Sequence, residues 1–199
     1  MEVESMARSR GPRFKECRSL GLNVHGHPKA MDRQTPSREA KKLSNYGKQL
    51  LEKQRLKAYY GTMEKQMVRF VRETSREAVP VVALICRLEL RLDNMVYRSG
   101  FGQTLRQARQ MVSHGLVLVN GKRVDIPSAK LNVGDVLSLR GENGHVKRIK
   151  EKGAPLGLVP YMSYNSQAHE ATLVRLPDRE EIPIVIQDHL VTEYYSKMS

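Results

Sequence analysis

Apolar positions recur with a helical period through the first part of this chain and give way to aliphatic runs and turns after residue 115. Leu43, Tyr46, Leu50 and Leu51 keep helical spacing, which predicts a helix over residues 43–60 that Gly61 ends. Thr62 is the expected cap of a second helix, whose Met63, Met67, Phe70 and Val71 fall at i, i+4, i+7 and i+8 as a core stripe. Ala78-Val79-Pro80 closes it. Residues 81–99 are expected as one continuous third helix. At about 100° per residue, Ile85, Leu88, Leu92, Met95 and Val96 fill one arc facing a core. Gly100-Phe101-Gly102 breaks that helix and Thr104 caps the next. There Leu105, Ala108, Met111 and Val112 point inward until the glycine stop at His114-Gly115.

Residues 116–119 then form a β-prone run into Asn120-Gly121, a pair suited to a type I′ hairpin because both central residues need positive φ. A second strand is expected at 136–139, after the Val133-Gly134-Asp135 turn. Residues 142–167 read as a loop, with Pro155, Pro160 and the basic cluster Lys147-Arg148-Ile149-Lys150. Residues 172–176 and 182–186 read as two strands around a turn at 177–181. Asp188 opens a final helical stretch through Tyr195, with Leu190, Val191 and Tyr194 packing back. No internal repeat is present. The fold class is α+β: a helical domain interrupted by a helix–helix–β-ribbon module, preceded by a basic, extended N-terminal arm.

Charge changes this picture from a fold into a function class. The 34 Lys+Arg against 21 Asp+Glu leave +13 over 199 residues, which points to a polyanionic partner. The excess is local. Residues 1–57 hold 14 cations against 6 acids, and residues 86–123 hold 7 against 2, whereas residues 124–199 hold 9 against 10. Residues 7–42 are too poor in apolar groups to order alone and are expected to order against RNA phosphates. No apolar run approaches the roughly 20 residues needed to span a bilayer, so no membrane partner is expected. Residues 1–5 read as a dispensable lead, and Met6 is a second candidate start. Two cysteines, Cys17 and Cys86, make no disulfide framework, and a reduced, cytoplasmic setting is expected. Cys17, His25 and His27 lack the four-ligand spacing of a zinc site, so neither metal nor cofactor is expected.

Within the third helix, Arg87, Arg91, Asn94 and Arg98 share one arc of about 60° and one sign of charge. A purely solvated face would ordinarily mix signs. Glu89 and Asp93 fall on a third arc, placed to hold or orient neighbours. Arg106, Arg109 and Gln110 point outward from the fourth helix, and Lys122 and Arg123 stand beside the hairpin turn. Guanidiniums suit phosphate because they make paired, charge-assisted bonds. The RNA-binding set is completed by Arg13 and Arg18 in the arm and by Lys48, Lys53, Arg55 and Lys57 on the first helix. Tyr97, Thr104, Gln107, His114, Asn120 and Gly121 complete it in the module.

Three stretches carry a family resemblance: Arg91-Leu-Asp-Asn-Met-Val-Tyr-Arg98, Gln107-Ala-Arg-Gln-Met-Val112, and His114-Gly-Leu-Val-Leu-Val-Asn-Gly-Lys-Arg-Val-Asp-Ile-Pro-Ser128. Together they resemble the RNA-binding module of small-subunit ribosomal protein four. Arg10-Gly-Pro-Arg13, Leu51-Glu-Lys-Gln-Arg55 with Tyr60-Gly61, and Val191 with Glu193-Tyr-Tyr-Ser196 resemble that family's flanking segments, so the resemblance covers nearly the whole chain. It implies an arm at 1–42, a helical domain at 43–86 completed by 160–199, and the module at 87–150.

The resemblance also implies a primary binder of 16S ribosomal RNA, seated on a multi-helix junction of the 5′ domain, that nucleates small-subunit assembly and contributes to decoding accuracy. Implied neighbours are small-subunit proteins five and three, with twelve as a further one, and messenger RNA where it enters. The protein would be a monomer within a bacterial or plastid ribosome. With one cysteine near its start, the chain resembles the zinc-free branch. Pseudouridine synthases and tyrosyl-transfer-RNA synthetases carry the same module. Here, however, Arg91-Leu92-Asp93 lies inside the module, and the 124–199 stretch is too short for a catalytic domain, so no enzyme is expected. The alternative is a free-standing RNA-binding assembly or stalled-ribosome factor built on the same module.

Overall fold

The computed structural model describes residues 11–25, 28–32, 43–141, 144–151 and 158–196. The expectations for the 1–5 lead, Arg10, His27, residues 33–42 and Pro155 lie outside the described residues. The chain forms two compact units, Met1–Leu84 with Ile184–Ser199, and Ile85–Pro183.

In the first unit, the stretch expected to be an extended arm contains a helix, α1 (Arg13–Leu20). Gly21 stops it at φ 62°, where its N–H and that of Leu22 return to the carbonyls of Arg18 and Cys17. The arm folds because Cys17, Val24 and Ala30 make a small core with Phe14 and Leu20, against Ala58 and Tyr59 of the next helix. That helix, α2 (Asn45–Tyr59), starts at Ser44, whose Oγ accepts the N–H of Gly47 at 3.1 Å. Thr62 does not open the following helix. Its N–H donates to the Lys57 carbonyl at 3.1 Å and closes α2, while α3 (Glu64–Thr74) starts at Met63. Met67 and Phe70 are buried as expected, but Met63 is exposed. Pro80 begins α4 (Pro80–Glu89) rather than ending α3, using the first-turn position where a missing N–H costs nothing.

The second unit corrects the third helix. It is two helices: α4 ends at Glu89, Arg91 is extended at φ −69°, ψ 141°, and α5 spans Leu92–Arg98. The break is stitched to a distant segment. Leu131 N–H donates to Leu90 O at 3.0 Å, Leu92 N–H to Ala129 O at 2.8 Å, and Asp93 N–H to Pro127 O at 3.1 Å. Hydrogen bonds lost from the helical ladder are thus regained across the break. α6 (Leu105–Ser113) follows Thr104, which accepts from Gln107 N at 3.2 Å.

Strands β1 (Val117–Val119), β2 (Lys122–Arg123) and β3 (Val136–Leu139) follow α6, and α7 (Gly144–Glu151) follows β3. With β4 (Met162–Asn165) and β5 (Glu170–Leu173), the strands form one antiparallel sheet in the order β2-β1-β3-β5-β4. The expected hairpin is present, with Asn120 at φ 51° and Gly121 at φ 74°.

Residues 142–167, expected as loop, hold α7 and β4. Val146 is buried and Ile149 packs beside it, enough to seat a short basic helix on the core. The strand expected at 172–176 runs instead over Glu170–Leu173, with Ala171 and Leu173 facing the core and Val174 and Leu176 exposed beyond its end. No strand forms at 182–186, where a short 3-10 turn (Arg179–Glu181) precedes Ile182. The division that gave 160–199 wholly to the helical domain is likewise corrected. β4 and β5 extend the module's sheet, and residues up to Pro183 pack with it. Leu92, Met95, Val96, Ala108, Val112, Val117, Leu137, Tyr161 and Ala171 are fully buried in the core of this unit.

Candidate nucleic-acid interface

In the second unit the expected cations separate into an internal set and an exposed set. Arg91 is 2% exposed, and its Nε and Nη2 grip the two oxygens of Asp93 at 3.1 and 3.0 Å. Asn94 is buried and donates Nδ2–H to the Glu89 carbonyl at 2.8 Å, satisfying an acceptor at the end of α4. Arg98 Nε meets Glu89 Oε1 at 2.5 Å, and the Tyr161 hydroxyl donates to the same oxygen at 2.6 Å. The row Arg87, Arg91, Asn94 and Arg98 is therefore not one outward stripe. The break at Arg91 interrupts it, and Glu89 and Asp93 hold Arg91, Asn94 and Arg98. Arg87 is half-buried on α4. Tyr97 is half-buried, with the Arg98 guanidinium 5.5 Å from its ring centroid.

The exposed set comes from α6 and the hairpin. Arg106, Gln110, His114, Asn120, Gly121, Lys122 and Arg123 are exposed. Gln107 is half-buried and accepts the Gln103 N–H at 2.8 Å, so with Thr104 it fixes the start of α6. Arg109 is partly exposed, its Nη1 3.7 Å from Asp93 Oδ2. Asn120 staples the turn by donating to Asp135 Oδ1 at 2.7 Å and accepting the Val136 N–H at 2.9 Å. Arg123 Nη2 lies 3.3 Å from Asp125. Lys130, Arg140 and Lys147 of this unit are also exposed; the RNA-binding set read from the sequence leaves them out, although Lys147 belongs to the basic cluster at 147–150. Their stretch sums to near neutrality, so a count of charge along the chain does not single them out.

In the first unit Arg13 and Lys48 are exposed and Arg18 is half-buried. Lys53, by contrast, is buried. Its Nζ binds both oxygens of Glu64 at 2.9 Å and lies 4.7 Å from the Tyr194 ring centroid. Lys57 reaches the same carboxylate at 3.1 Å. Burial disfavours the charged form of Glu64, but the hydrogen bonds from Lys53 and Lys57 outweigh it and hold the carboxyl below its ordinary range. Arg55 donates to the Leu20 carbonyl at 2.8 Å and pairs with Glu52 at 2.7 Å, fastening α1 to α2. Glu52 also accepts the Gln187 N–H at 3.3 Å. These three cations are structural fasteners in this arrangement.

Cys17 is buried beside Asn23, and His25 Nε2 pairs with Glu16 at 2.8 Å. No group of three metal-ligating side chains occurs among the described residues. No helix among them is long and apolar enough to cross a membrane. Burial pushes the Cys86 thiol up, with Glu89 and Asp178 adding to the effect, so it is a poor nucleophile at neutral pH.

Two helices packed beside a β-hairpin, with cations on the second helix and the turn, define an RNA-binding module, and the S4 domain family matches residues 90–137. The family described as ribosomal protein S4/S9 N-terminal domain matches residues 8–83. Small ribosomal subunit protein uS4B of Clostridium acetobutylicum is 48% identical over 195 residues, covering 96% of this chain and all of that relative. The uS4 proteins of Finegoldia magna and Brevibacillus brevis are 48% and 43% identical over 199 residues, again along their full length. The chain belongs to the uS4 family of small-subunit ribosomal proteins. That family is structural rather than enzymatic, and its setting is the ribosome.

Proposed function

We propose that this chain is a primary binder of 16S ribosomal RNA, attaching to a multi-helix junction of the 5′ domain and nucleating assembly of the small subunit. The observation that carries the reading is the exposed set Arg106, Gln110, Lys122 and Arg123, presented from α6 and the hairpin of one packed unit. Such a set supplies phosphate contacts on a rigid frame, which lowers the ordering cost of binding. Arg13 and Lys48 supply cations from the other unit, so attachment is polyvalent. In the assembled subunit the chain lies beside small-subunit proteins five and three, with twelve nearby, where messenger RNA enters, and it contributes to decoding accuracy.

Sedimentation tests the reading. The protein is expected to travel with small subunits, to remain through a high-salt wash, and to bind isolated 5′-domain RNA. Release of the protein in the wash would favour a free-standing factor built on the same module. Failure to bind 5′-domain RNA would overturn the reading.

A further inference from the structure

We infer that Asp93 is a positioning residue for RNA binding: its buried carboxylate aims Arg109 at phosphate, so that removing a negative charge here weakens attachment to a polyanion. The inference rests on the RNA-binding reading above.

Asp93 is 1% exposed, and four nitrogens from three residues converge on its carboxylate. Oδ1 accepts from Arg91 Nε at 3.1 Å and from the Asn94 N–H at 3.0 Å. Oδ2 accepts from Arg91 Nη2 at 3.0 Å and stands 3.7 Å from Arg109 Nη1. Arg91 is thus neutralised by a bidentate partner inside the unit, whereas Arg109, on the neighbouring helix α6, approaches the same carboxylate at the longer ion-pair distance of 3.7 Å. The side chain of Arg109 is 20% exposed and on the same helix as the exposed Arg106 and Gln110. At such a boundary the field of a buried carboxylate is weakly screened and narrows the rotamers open to a long cationic side chain.

Glu89 makes the contrast. Its partner Arg98 is 8% exposed and is drawn inward, with Tyr161 completing the site. Asp93 instead joins one internal guanidinium to one that is partly exposed. Its own position is fixed twice over, by the Arg91 pair and by its backbone N–H on the Pro127 carbonyl at 3.1 Å. Long-range electrostatics alone predicts that Asp93→Asn, which raises the net charge, tightens RNA binding. Positioning predicts the reverse sign.

The test is a double-mutant cycle on the full chain with 5′-domain RNA, measuring affinity across a salt series and thermal stability for each variant. Asp93→Asn and Arg109→Gln should each weaken binding about tenfold and lower the salt slope by about one. The double variant should bind no more weakly than Arg109→Gln. Tighter or unchanged binding by Asp93→Asn overturns the inference, as do additive losses. Arg109→Gln leaves the Asp93–Arg91 pair intact, so the inference can still be overturned if Asp93→Asn unfolds: an unchanged salt slope in that variant removes Arg109 from the interface. If the unaltered protein fails to bind, the underlying RNA reading is what fails.

Discussion

The guanidinium of Arg123 occupies the space that a side chain at Gly115 would need. A β-carbon there would fall 2.3 Å from Arg123 Nε and 2.6 Å from Cζ. Gly115 also sits at φ 68°, where its N–H returns to Val112 O and ends α6. One residue therefore stops a helix and seats a cation of the hairpin beside it.

Gly115→Ala should both strain the backbone and displace Arg123. Gly121→Ala makes the comparison, since it sits at φ 74° with nothing within 4 Å and suffers strain alone. Each is expected to lower stability by about 1 kcal/mol or more. Thermal melts and RNA titrations together should show the larger affinity loss in Gly115→Ala; equal losses would mean that the seating of Arg123 is immaterial.

Arg91 and Arg106 look alike in sequence and should behave oppositely. Arg91→Glu buries two carboxylates against each other at Asp93 and is expected to cost about 3–5 kcal/mol, enough to unfold the module. Arg106 is exposed on α6, so Arg106→Glu should leave stability within about 0.5 kcal/mol while weakening RNA binding well over tenfold. Circular dichroism against temperature and filter binding separate the two. A stable Arg91→Glu protein contradicts the buried pair.

Binding to ribosomal RNA should fall steeply with salt, because cations on α6 and the hairpin release counterions from phosphate. Replacing Arg106, Lys122 and Arg123 with Gln together should reduce the log–log slope by about three. A slope that does not move would show that these side chains meet no phosphate.

The Lys53–Glu64–Lys57 cluster makes stability depend on pH with a definite sign. The folded-state pKa of Glu64 is held below its ordinary value of 4.5, so its contribution is complete above that value and is lost as pH falls through the folded pKa. Thermal melts between neutral pH and pH ~3 should show an acid limb. Glu64→Gln should be less stable at neutral pH and show a shallower limb. An identical limb in the variant would assign the acid loss elsewhere.

What could be read from the sequence was whatever is decided locally. Asn120-Gly121 announces its turn because two adjacent positive φ values exclude most other residues. Thr104 and Gly115 mark the ends of α6 for similarly local reasons. The break at Arg91 could not be read, because Leu88, Leu92, Met95 and Val96 keep helical phase across it. What forces the break is pairing with residues 127–131, some 35–40 positions away. That error carried into the site, turning an internal clamp of Arg91, Asn94 and Arg98 into an apparent outward stripe. α1 was hidden in the same way, since Cys17 and Val24 bury against Ala58 and Tyr59, contacts no local window contains. β4 and β5 were misplaced because their alternation covers only four residues each.

The edge strand β2 has a consequence for the chain before it meets RNA. It is two residues long, Lys122 and Arg123, both exposed, and it pairs on one side with β1. A free sheet edge invites further strands from other molecules, and a short edge bearing two cations repels another copy of itself. If these two side chains meet RNA as proposed above, the newly made protein carries its guard against clumping in the same groups that its partner would cover, and the guard would be withdrawn only once assembly had made it unnecessary.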